Sequence, residues 1–388
     1  MIQVAFNQAN HSDSFSVAAP PSLQSCACWL RYTAQLIYAK LRAEIAGGFT
    51  MRLGIVLIMI FMADGLALAQ ESRLPIIDMH FHTVAVDSQG PPPLGLCSPF
   101  REIPSSVSAE SYPDQWLSLL KNPPCDDPVW SPTSDRELMA ASLAMLDEYN
   151  IFGVASGPEH LVRAYEDAAP DRIIQALLLG GSAVAEPQSI DSLRILHDEG
   201  RLEVIGELTT QYAGISPDDE RLEPLWALAE ELDLPVGIHI GTGPPGVAYL
   251  GASGYRARLH SALTLEEVLI RHPSLRIYIS HAGWPMLEDL LALLWAHPQV
   301  YMDVAAINWA LPTPEFHSYL QRIVEAGFGS RVMYGSDQMV WPGMIPKSIA
   351  AVRDAPFLDE AQKRDILYNN AARFLRLSEE EIATHHGK

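Results

Sequence analysis

Two histidines separated by one residue, His80 and His82, close the apolar stretch Ile76-Ile77-Asp78-Met79-His80-Phe81-His82. Side chains alternate along a strand with a period of two, so both imidazoles would project from one face. Neutral imidazole is the commonest metal ligand in proteins, and a strand fixes the separation of two ligand nitrogens better than a loop does. The spacing therefore indicates half of a metal site. Two nearby histidines are more often solvated or hydrogen-bonded, so the interpretation depends on partners elsewhere in the chain.

Four further polar residues close apolar runs later in the chain. They are Glu207 in Val-Ile-Gly-Glu-Leu, His239 in Val-Gly-Ile-His-Ile-Gly, His281 in Ile-Tyr-Ile-Ser-His-Ala-Gly and Asp337 in Val-Met-Tyr-Gly-Ser-Asp. Each histidine or aspartate alone can be a hydrogen-bonded core residue or a helix cap, whereas a carboxylate in so apolar a run needs a partner or a metal. Together with the histidine pair, they predict a divalent metal site. Asp303 falls inside its apolar run, and we assign it a structural role outside the metal set.

The elements that must position these residues are short apolar runs that alternate with amphipathic stretches. The predicted strands are Ile76–Met79, Ile151–Ala155, Arg172–Leu179, Leu202–Leu208, Leu234–Ile240, Leu275–Ser280, Val300–Ala305 and Arg331–Gly335. The predicted helices are Asp135–Tyr149, Pro158–Ala169, Gln188–Glu199, Asp218–Leu232, Leu265–His272, Met286–His297, Thr313–Ala326 and Asp359–Leu377. Because parallel neighbours need crossover connections, this order predicts an α/β fold of the (β/α)8 TIM barrel type. The alternative, an open doubly wound sheet, lacks its nucleotide-binding glycine motifs.

A TIM barrel carries its active site at the carboxyl ends of its strands. The segment that follows the first strand, residues 83–134, contains two proline clusters and little periodicity. So long an irregular segment in a compact domain is usually functional. We therefore expect residues 83–134 to form a lid or a loop that contacts the substrate.

Substrate-binding candidates follow three of the later strands. Arg256 and Arg258, after the fifth strand, are suited to clamp a carboxylate or phosphate, or they form a solvated pair on a loop. Asn308 and Trp309, after the seventh strand, are predicted to line the pocket, and Trp341 is a similar candidate after the eighth. We expect the substrate to be a small molecule.

Composition excludes some partners. A hydrophobic content of 48% over 388 residues is ample for a large core. The formal net charge of −21 argues against a nucleic-acid partner, because phosphate contact needs clustered Lys and Arg. Homo-oligomerisation is left open by the sequence.

A short hydrophobic segment lies well inside the amino-terminal part of the chain. Met51-Arg52, the apolar run that follows and Ala67-Leu68-Ala69 have the order of a secretory signal peptide that is cleaved after Ala69. The run is short for a transmembrane span, and the alternatives are an uncleaved signal anchor or a buried core helix.

This segment sets the expected domain organisation. We expect residues 1–50 to be a leader that arises as a start-site artefact, and residues 51–69 to be a signal peptide. Residues 70–388 would then form a single barrel domain, periplasmic or secreted, with no stable membrane anchor after cleavage. Cys97 and Cys125 are the cysteines of this mature chain, and they are either joined in a disulfide or two free thiols.

The motifs as a set resemble the amidohydrolase superfamily of metal-dependent hydrolases, in particular its amidohydrolase-related branch. The resemblance rests on Ile-Asp-Met-His-Phe-His, on the strand-end histidines and on Tyr-Gly-Ser-Asp337. Further matches are Arg271-His-Pro-Ser-Leu-Arg, His281-Ala-Gly-Trp-Pro and Asn369-Asn-Ala-Ala-Arg-Phe-Leu. It covers about residues 74–377 and implies a (β/α)8 barrel with one or two divalent metal ions, which we expect to be Zn²⁺.

The resemblance also implies roles for individual residues. His80, His82 and His239 are expected to be metal ligands, and Asp337 both a ligand and the catalytic acid/base. His281 is expected to be a ligand or a group that polarises the substrate. The departure is Glu207, which stands where many binuclear members carry a carboxylated lysine bridge. It resembles the bridging carboxylate of other branches, and if it points away the centre would hold one metal.

The ligand set indicates the reaction. A divalent cation with an open coordination position lowers the pKa of bound water towards about 7 and polarises a carbonyl oxygen. The sequence therefore predicts a hydrolase that cleaves an amide, ester or lactone bond, with Asp337 moving the proton. Two alternatives remain, a metal-dependent non-oxidative decarboxylase of a small carboxylic acid and a non-catalytic periplasmic binding protein that needs a metal.

Overall fold

Eight parallel strands form one sheet whose spatial order is the same as their order in the chain. They are β1 Ile76–His82, β2 Ile151–Gly157, β3 Ile173–Gly180, β4 Val204–Thr209, β5 Val236–His239, β6 Ile277–Ser280, β7 Val300–Asp303 and β8 Val332–Met333. The sheet closes on itself because the Met79 N–H donates to the Tyr334 carbonyl (3.0 Å) and the Asp337 N–H to the His80 carbonyl (2.8 Å). The predicted TIM barrel is confirmed.

This computed structural model describes residues 74–100, 103–105, 110–180 and 187–387. The predicted leader, the predicted signal peptide at 51–69 and the cysteines Cys26 and Cys28 lie outside the described residues. Within these ranges, no helix combines the length and the hydropathy that crossing a membrane requires.

Helices separate the strands, and most of them cover the outside of the barrel. They are α1 Tyr112–Lys121, α2 Asp135–Glu148, α3 Glu159–Ala168, α4 Pro187–Asp198, α5 Glu223–Glu231, α6 Glu266–Arg271, α7 Leu287–Ala296, α8 Ile307–Ala310, α9 Thr313–Ile323, α10 Met344–Arg353, α11 Glu360–Arg364, α12 Asn370–Leu375 and α13 Glu379–His385. Short 3₁₀ turns connect several of them.

The strands are buried on both faces, which is why they read as continuous apolar runs. All seven residues of β1 are buried. Ile76 and Phe81 belong to a large apolar cluster that includes helix residues, whereas Ile77 and Met79 belong to a second cluster with Phe374 of α12. Polar residues on these strands are therefore desolvated and need partners.

The segment 83–134 is more ordered than the sequence predicts. It contains the helix α1, whose start is capped by the Ser111 side chain and carries a proline in its first turn. It also contains a two-stranded antiparallel ribbon of Gly95–Leu96 with Val129–Trp130. Cys97 and Cys125 are joined in a disulfide, so the structure selects the first of the two alternatives.

The carboxyl-terminal part differs from its prediction in three ways. The helices α10, Met344–Arg353, and α13, Glu379–His385, are not predicted from the sequence. The predicted helix Asp359–Leu377 is divided into α11, a wide turn at Asp365–Asn369 and α12. Arg376 ends α12 in the left-handed conformation (φ 60°). This conformation stops a helix, a feature that apolar periodicity alone does not reveal.

Candidate metal centre

His80 and His82 lie on one face of β1, as their spacing predicts. Their Nε2 atoms are 3.1 Å apart, and the residues are 2% and 3% exposed. The Nδ1 of each ring faces an acceptor, the Asp303 carboxylate (3.0 Å) for His80 and the Ser156 carbonyl (3.3 Å) for His82. A carboxylate or carbonyl there holds the proton on Nδ1, so the Nε2 lone pairs face each other across the site.

Glu207, on β4, lies between two groups of histidines. Its Oε2 is 3.6 Å from the His80 Nε2 and 3.9 Å from the His82 Nε2. Its Oε1 is 2.5 Å from the His239 Nδ1 and 3.5 Å from the His281 Nε2. The residue is 7% exposed, and its backbone N–H donates to the Ser156 hydroxyl. One carboxylate therefore presents one oxygen to each pair of imidazoles.

His239 and His281 form the second pair, with the His239 Nδ1 and the His281 Nε2 3.1 Å apart. The His281 Nδ1 faces the Ala305 carbonyl at 2.9 Å, which holds its proton there and directs the Nε2 lone pair inward. The His239 Nε2 is buried and has no hydrogen-bond partner in the described part of the chain. Burial lowers the pKa of His239, which favours the neutral form that a metal ligand needs.

Asp337 follows β8 and lies beside the first histidine pair, His80 and His82. Its Oδ1 is 3.1 Å from the His82 Nε2. Its backbone, like that of His281, adopts a left-handed conformation (φ 48° and 59°) that is costly outside glycine and concentrates at functional sites. The neighbouring Gln338 side chain bonds both the N–H and the carbonyl of His82, which fixes the end of β1.

Asp303 corrects the sequence analysis in one respect. It is the last residue of β7 and not an interior one. It is fully buried, and its Oδ2 faces the His80 Nδ1 while its Oδ1 accepts from the backbone N–H groups of His281 and Ala305. Asp303 therefore positions two metal-ligand candidates, His80 through its Nδ1 and His281 through its backbone N–H. The predicted strand Val300–Ala305 is two residues too long. With the strand ending at Asp303, the criterion that selected the other strand-end residues would also have selected Asp303.

The donor set fits a divalent metal. Ligands about 2.1 Å from one ion in a tetrahedral or octahedral arrangement are about 3.0–3.4 Å from each other. The inward nitrogen and oxygen atoms are 3.1–3.9 Å apart, except for the His239 Nδ1 and the Glu207 Oε1, which form a 2.5 Å hydrogen bond. The groups that could hold an ion are His80, His82 and Glu207, then Glu207, His239 and His281, and also His80, His281 and Asp303.

The charges at the site reinforce this assignment. Burial alone would lower the pKa of His80, but the carboxylates of Glu207, Asp303 and Asp337 raise it well above its ordinary value. Burial alone would raise the pKa of Glu207, but His239 and His80 hold it well below its ordinary value. The Glu207 carboxylate therefore stays ionised, as a ligand of a cation must be.

A cavity of about 370 Å³ opens beside this cluster. The segment 83–134 contributes part of its wall, including Leu96, Phe100 and Trp116. Trp309 and Trp341 line it as predicted. Most of the remaining wall is apolar.

Three predicted substrate residues are not in this wall. Arg256 and Arg258 are exposed, and the Arg256 guanidinium is bonded to the backbone carbonyls of Ser253 and Tyr255. Asn308 is buried beneath the site, where its amide donates to the Gly335 carbonyl. The exposure of both arginines matches the second alternative, a solvated pair on the loop after β5.

Comparisons with known proteins agree with the architecture. The family model described as Amidohydrolase matches residues 77–377, and no curated protein matches the chain. A TIM-barrel protein from Bordetella bronchiseptica is similar at 17% identity and a TM-score of 0.51, over 81% of this chain and 100% of that one.

Two decarboxylase structures are similar at the same level. The 5-carboxyvanillate decarboxylase from Sphingomonas paucimobilis has 18% identity and a TM-score of 0.50, over 79% of this chain and 100% of that one. The enzyme of the same name from Novosphingobium aromaticivorans, solved with manganese and 4-hydroxy-3-methoxy-5-nitrobenzoic acid, has 15% identity and a TM-score of 0.51, over 79% and 97%. At these identities the similarity establishes the fold alone.

Proposed function

Since this chain belongs to the amidohydrolase family, we propose that it is a metal-dependent hydrolase that cleaves an amide, ester or lactone bond of a small molecule. The observation that carries the proposal is the position of Glu207. Its two oxygens face separate histidine groups, His80 with His82 and His239 with His281. Glu207 would therefore help to hold a cation with each histidine pair, and paired cations would supply the activation of water for hydrolysis.

When divalent cations are bound there, they acidify water and polarise the scissile carbonyl. The residues of the chain do the remaining work. Asp337, at the edge of the cavity, accepts a proton from the attacking water and returns it to the leaving group. The Nδ1 partners of His80, His82 and His281 keep these rings in the tautomer that presents Nε2 inward. We propose Zn²⁺ as the ion, because imidazole and carboxylate ligands suit it.

The test is the metal content and activity of Glu207→Gln. We expect the wild-type protein to hold two ions per chain and the variant to hold one, with hydrolysis reduced by about 100-fold or more. The exposed Glu267→Gln is the matched control, because it removes one carboxylate far from the site. A variant that keeps two ions and full turnover would remove the bridging role of Glu207.

Decarboxylation is the competing reaction, and it is what two structural neighbours are named for. Their identities of 15% and 18% support the fold but not the reaction. Release of CO₂ from aromatic carboxylic acids by metal-loaded protein, without hydrolysis of esters or lactones, would favour it. Turnover of any substrate would eliminate a purely binding function.

We further propose that residues 51–69 direct export to the periplasm or beyond. Fractionation of cells that produce the full chain, with amino-terminal sequencing of the mature protein, tests both the compartment and cleavage after Ala69. The oligomeric state of the same preparation is measured by light scattering.

A further inference from the structure

The cavity beside the metal centre has an aromatic corner. The Phe100 ring packs edge to face against Trp116 (centroids 6.4 Å apart, 71°) and against Trp309 (6.3 Å, 70°). All three residues line the cavity, and so do Trp284 and Trp341. Aromatic walls of this kind favour flat rings, which stack or pack edge to face against them.

The polar ends of three tryptophans are bonded to the protein. The indole N–H groups of Trp309, Trp341 and Trp284 donate to the Ser336 carbonyl, the Leu94 carbonyl and the Glu315 carboxylate, respectively. Their N–H groups are therefore occupied, and what remains for a ligand is the carbon surface of the rings. A ligand gains apolar contact from these side chains and little hydrogen bonding.

The charged side chains among the described residues of the wall are carboxylates and the metal-centre histidines. Among the described residues that line the cavity there is no Lys or Arg, and the carboxylates are Glu207 and Asp337 at the metal centre. Away from the metal centre, a carboxylate on the substrate would lose its hydration without gaining a cation. The wall therefore disfavours substrates that carry a negative charge at the end remote from the bond that is cleaved.

The Ser88 and Tyr212 hydroxyls are two of the neutral polar groups in the wall. The Ser88 hydroxyl is buried and has no hydrogen-bond partner in the described ranges, although the residue lines the cavity. Tyr212 also lines the cavity, and its ring lies 4.7 Å from that of His239. Its phenolic hydroxyl can donate or accept a hydrogen bond.

The described wall combines an aromatic corner with two hydroxyls and contains no Lys or Arg. From these features, we infer that the substrate is an uncharged aromatic ester or lactone. This inference rests on the proposed hydrolysis. Water adds its oxygen to the acyl carbon, the C–O bond of the ester breaks, and the proton that Asp337 accepts passes to the leaving alcohol. The second proton of the water stays with the product acid.

The experiment compares three esters of matched size with the metal-loaded full chain. They are methyl 4-methylbenzoate, monomethyl terephthalate, which carries a carboxylate in place of the ring methyl, and methyl 4-methylcyclohexanecarboxylate, which lacks the aromatic ring. We expect kcat/KM for the neutral aromatic ester to exceed that for the charged one by about 100-fold and that for the cyclohexane ester by about 10-fold. Equal or higher kcat/KM for monomethyl terephthalate would overturn the inference.

Two further measurements separate this inference from the proposed function. If no ester is hydrolysed, the hydrolase proposal fails, whereas quenching of tryptophan fluorescence still compares binding of the neutral and charged esters. Tighter binding of the charged ester would then overturn the inference on its own.

The second measurement uses Leu178→Arg, which places a cation in the wall. We expect it to reduce the preference for the neutral ester over the charged one by about 10-fold or more. Leu178→Met is the control that keeps the wall apolar. An unchanged preference in a folded Leu178→Arg protein would contradict the charge argument.

Discussion

Asp303→Asn tests whether the metal centre depends on the carboxylate that contacts the His80 Nδ1 and the His281 backbone N–H. The substitution keeps the shape and one carbonyl oxygen, which can still accept from the His281 and Ala305 N–H groups. The other oxygen, 3.0 Å from the His80 Nδ1, becomes an amide that donates. Two donors then oppose each other, unless the His80 proton moves to Nε2, the atom that should bind the metal.

The magnitude follows from the interaction that is lost. A buried hydrogen bond to a charged group contributes about 1.5–3 kcal/mol, which corresponds to about a 10- to 150-fold change in an equilibrium constant. The contact is fully desolvated, because Asp303 is 0% and His80 2% exposed. We therefore expect the metal affinity of the variant to decrease by about 10- to 150-fold. At limiting metal concentration, kcat/KM should decrease with it.

Competition with a chelator of known affinity measures the first quantity. The exposed Asp167→Asn is the control, since it removes an aspartate on the surface of α3. Saturating metal should restore much of the activity of Asp303→Asn if the residue positions His80. Wild-type metal affinity in a correctly folded variant would refute the reasoning.

Three further outcomes are expected. Arg256→Ala and Arg258→Ala should leave KM and kcat within about twofold of wild type in steady-state assays, because both residues are exposed and neither lines the cavity; a tenfold rise in KM would contradict their placement. Metal affinity should fall as the pH is lowered, by up to about tenfold per pH unit, because the raised pKa of His80 lets a proton compete with the metal; calorimetric titrations between pH 6 and 8 check the slope, and a pH-independent affinity would exclude this competition. Replacing Cys97 and Cys125 by Ser should lower the free energy of unfolding by about 3–4 kcal/mol, since the disulfide closes a loop with a sequence separation of 28; urea denaturation of the variant and the oxidised wild type measures it, and equal midpoints and slopes would show that the bond does not stabilise the fold.

The sequence by itself determined the barrel and the types of residue at its metal centre. Both follow from local patterns, since apolar runs mark strands and a polar residue at the end of such a run stands out against its neighbours. The spacing of His80 and His82 placed both rings on one face, and Glu207 needed a partner wherever its strand lay.

Only the tertiary structure decided which groups meet. The contact between His80 and Asp303 joins residues 223 positions apart, so no local pattern could reveal it. The aromatic wall of the cavity depends on the path of the segment 83–134. The position of Arg256 outside that wall depends on the path of the loop after β5. Strand periodicity follows from backbone geometry that neighbouring residues share, whereas loop paths and contacts across the barrel depend on packing of the whole chain.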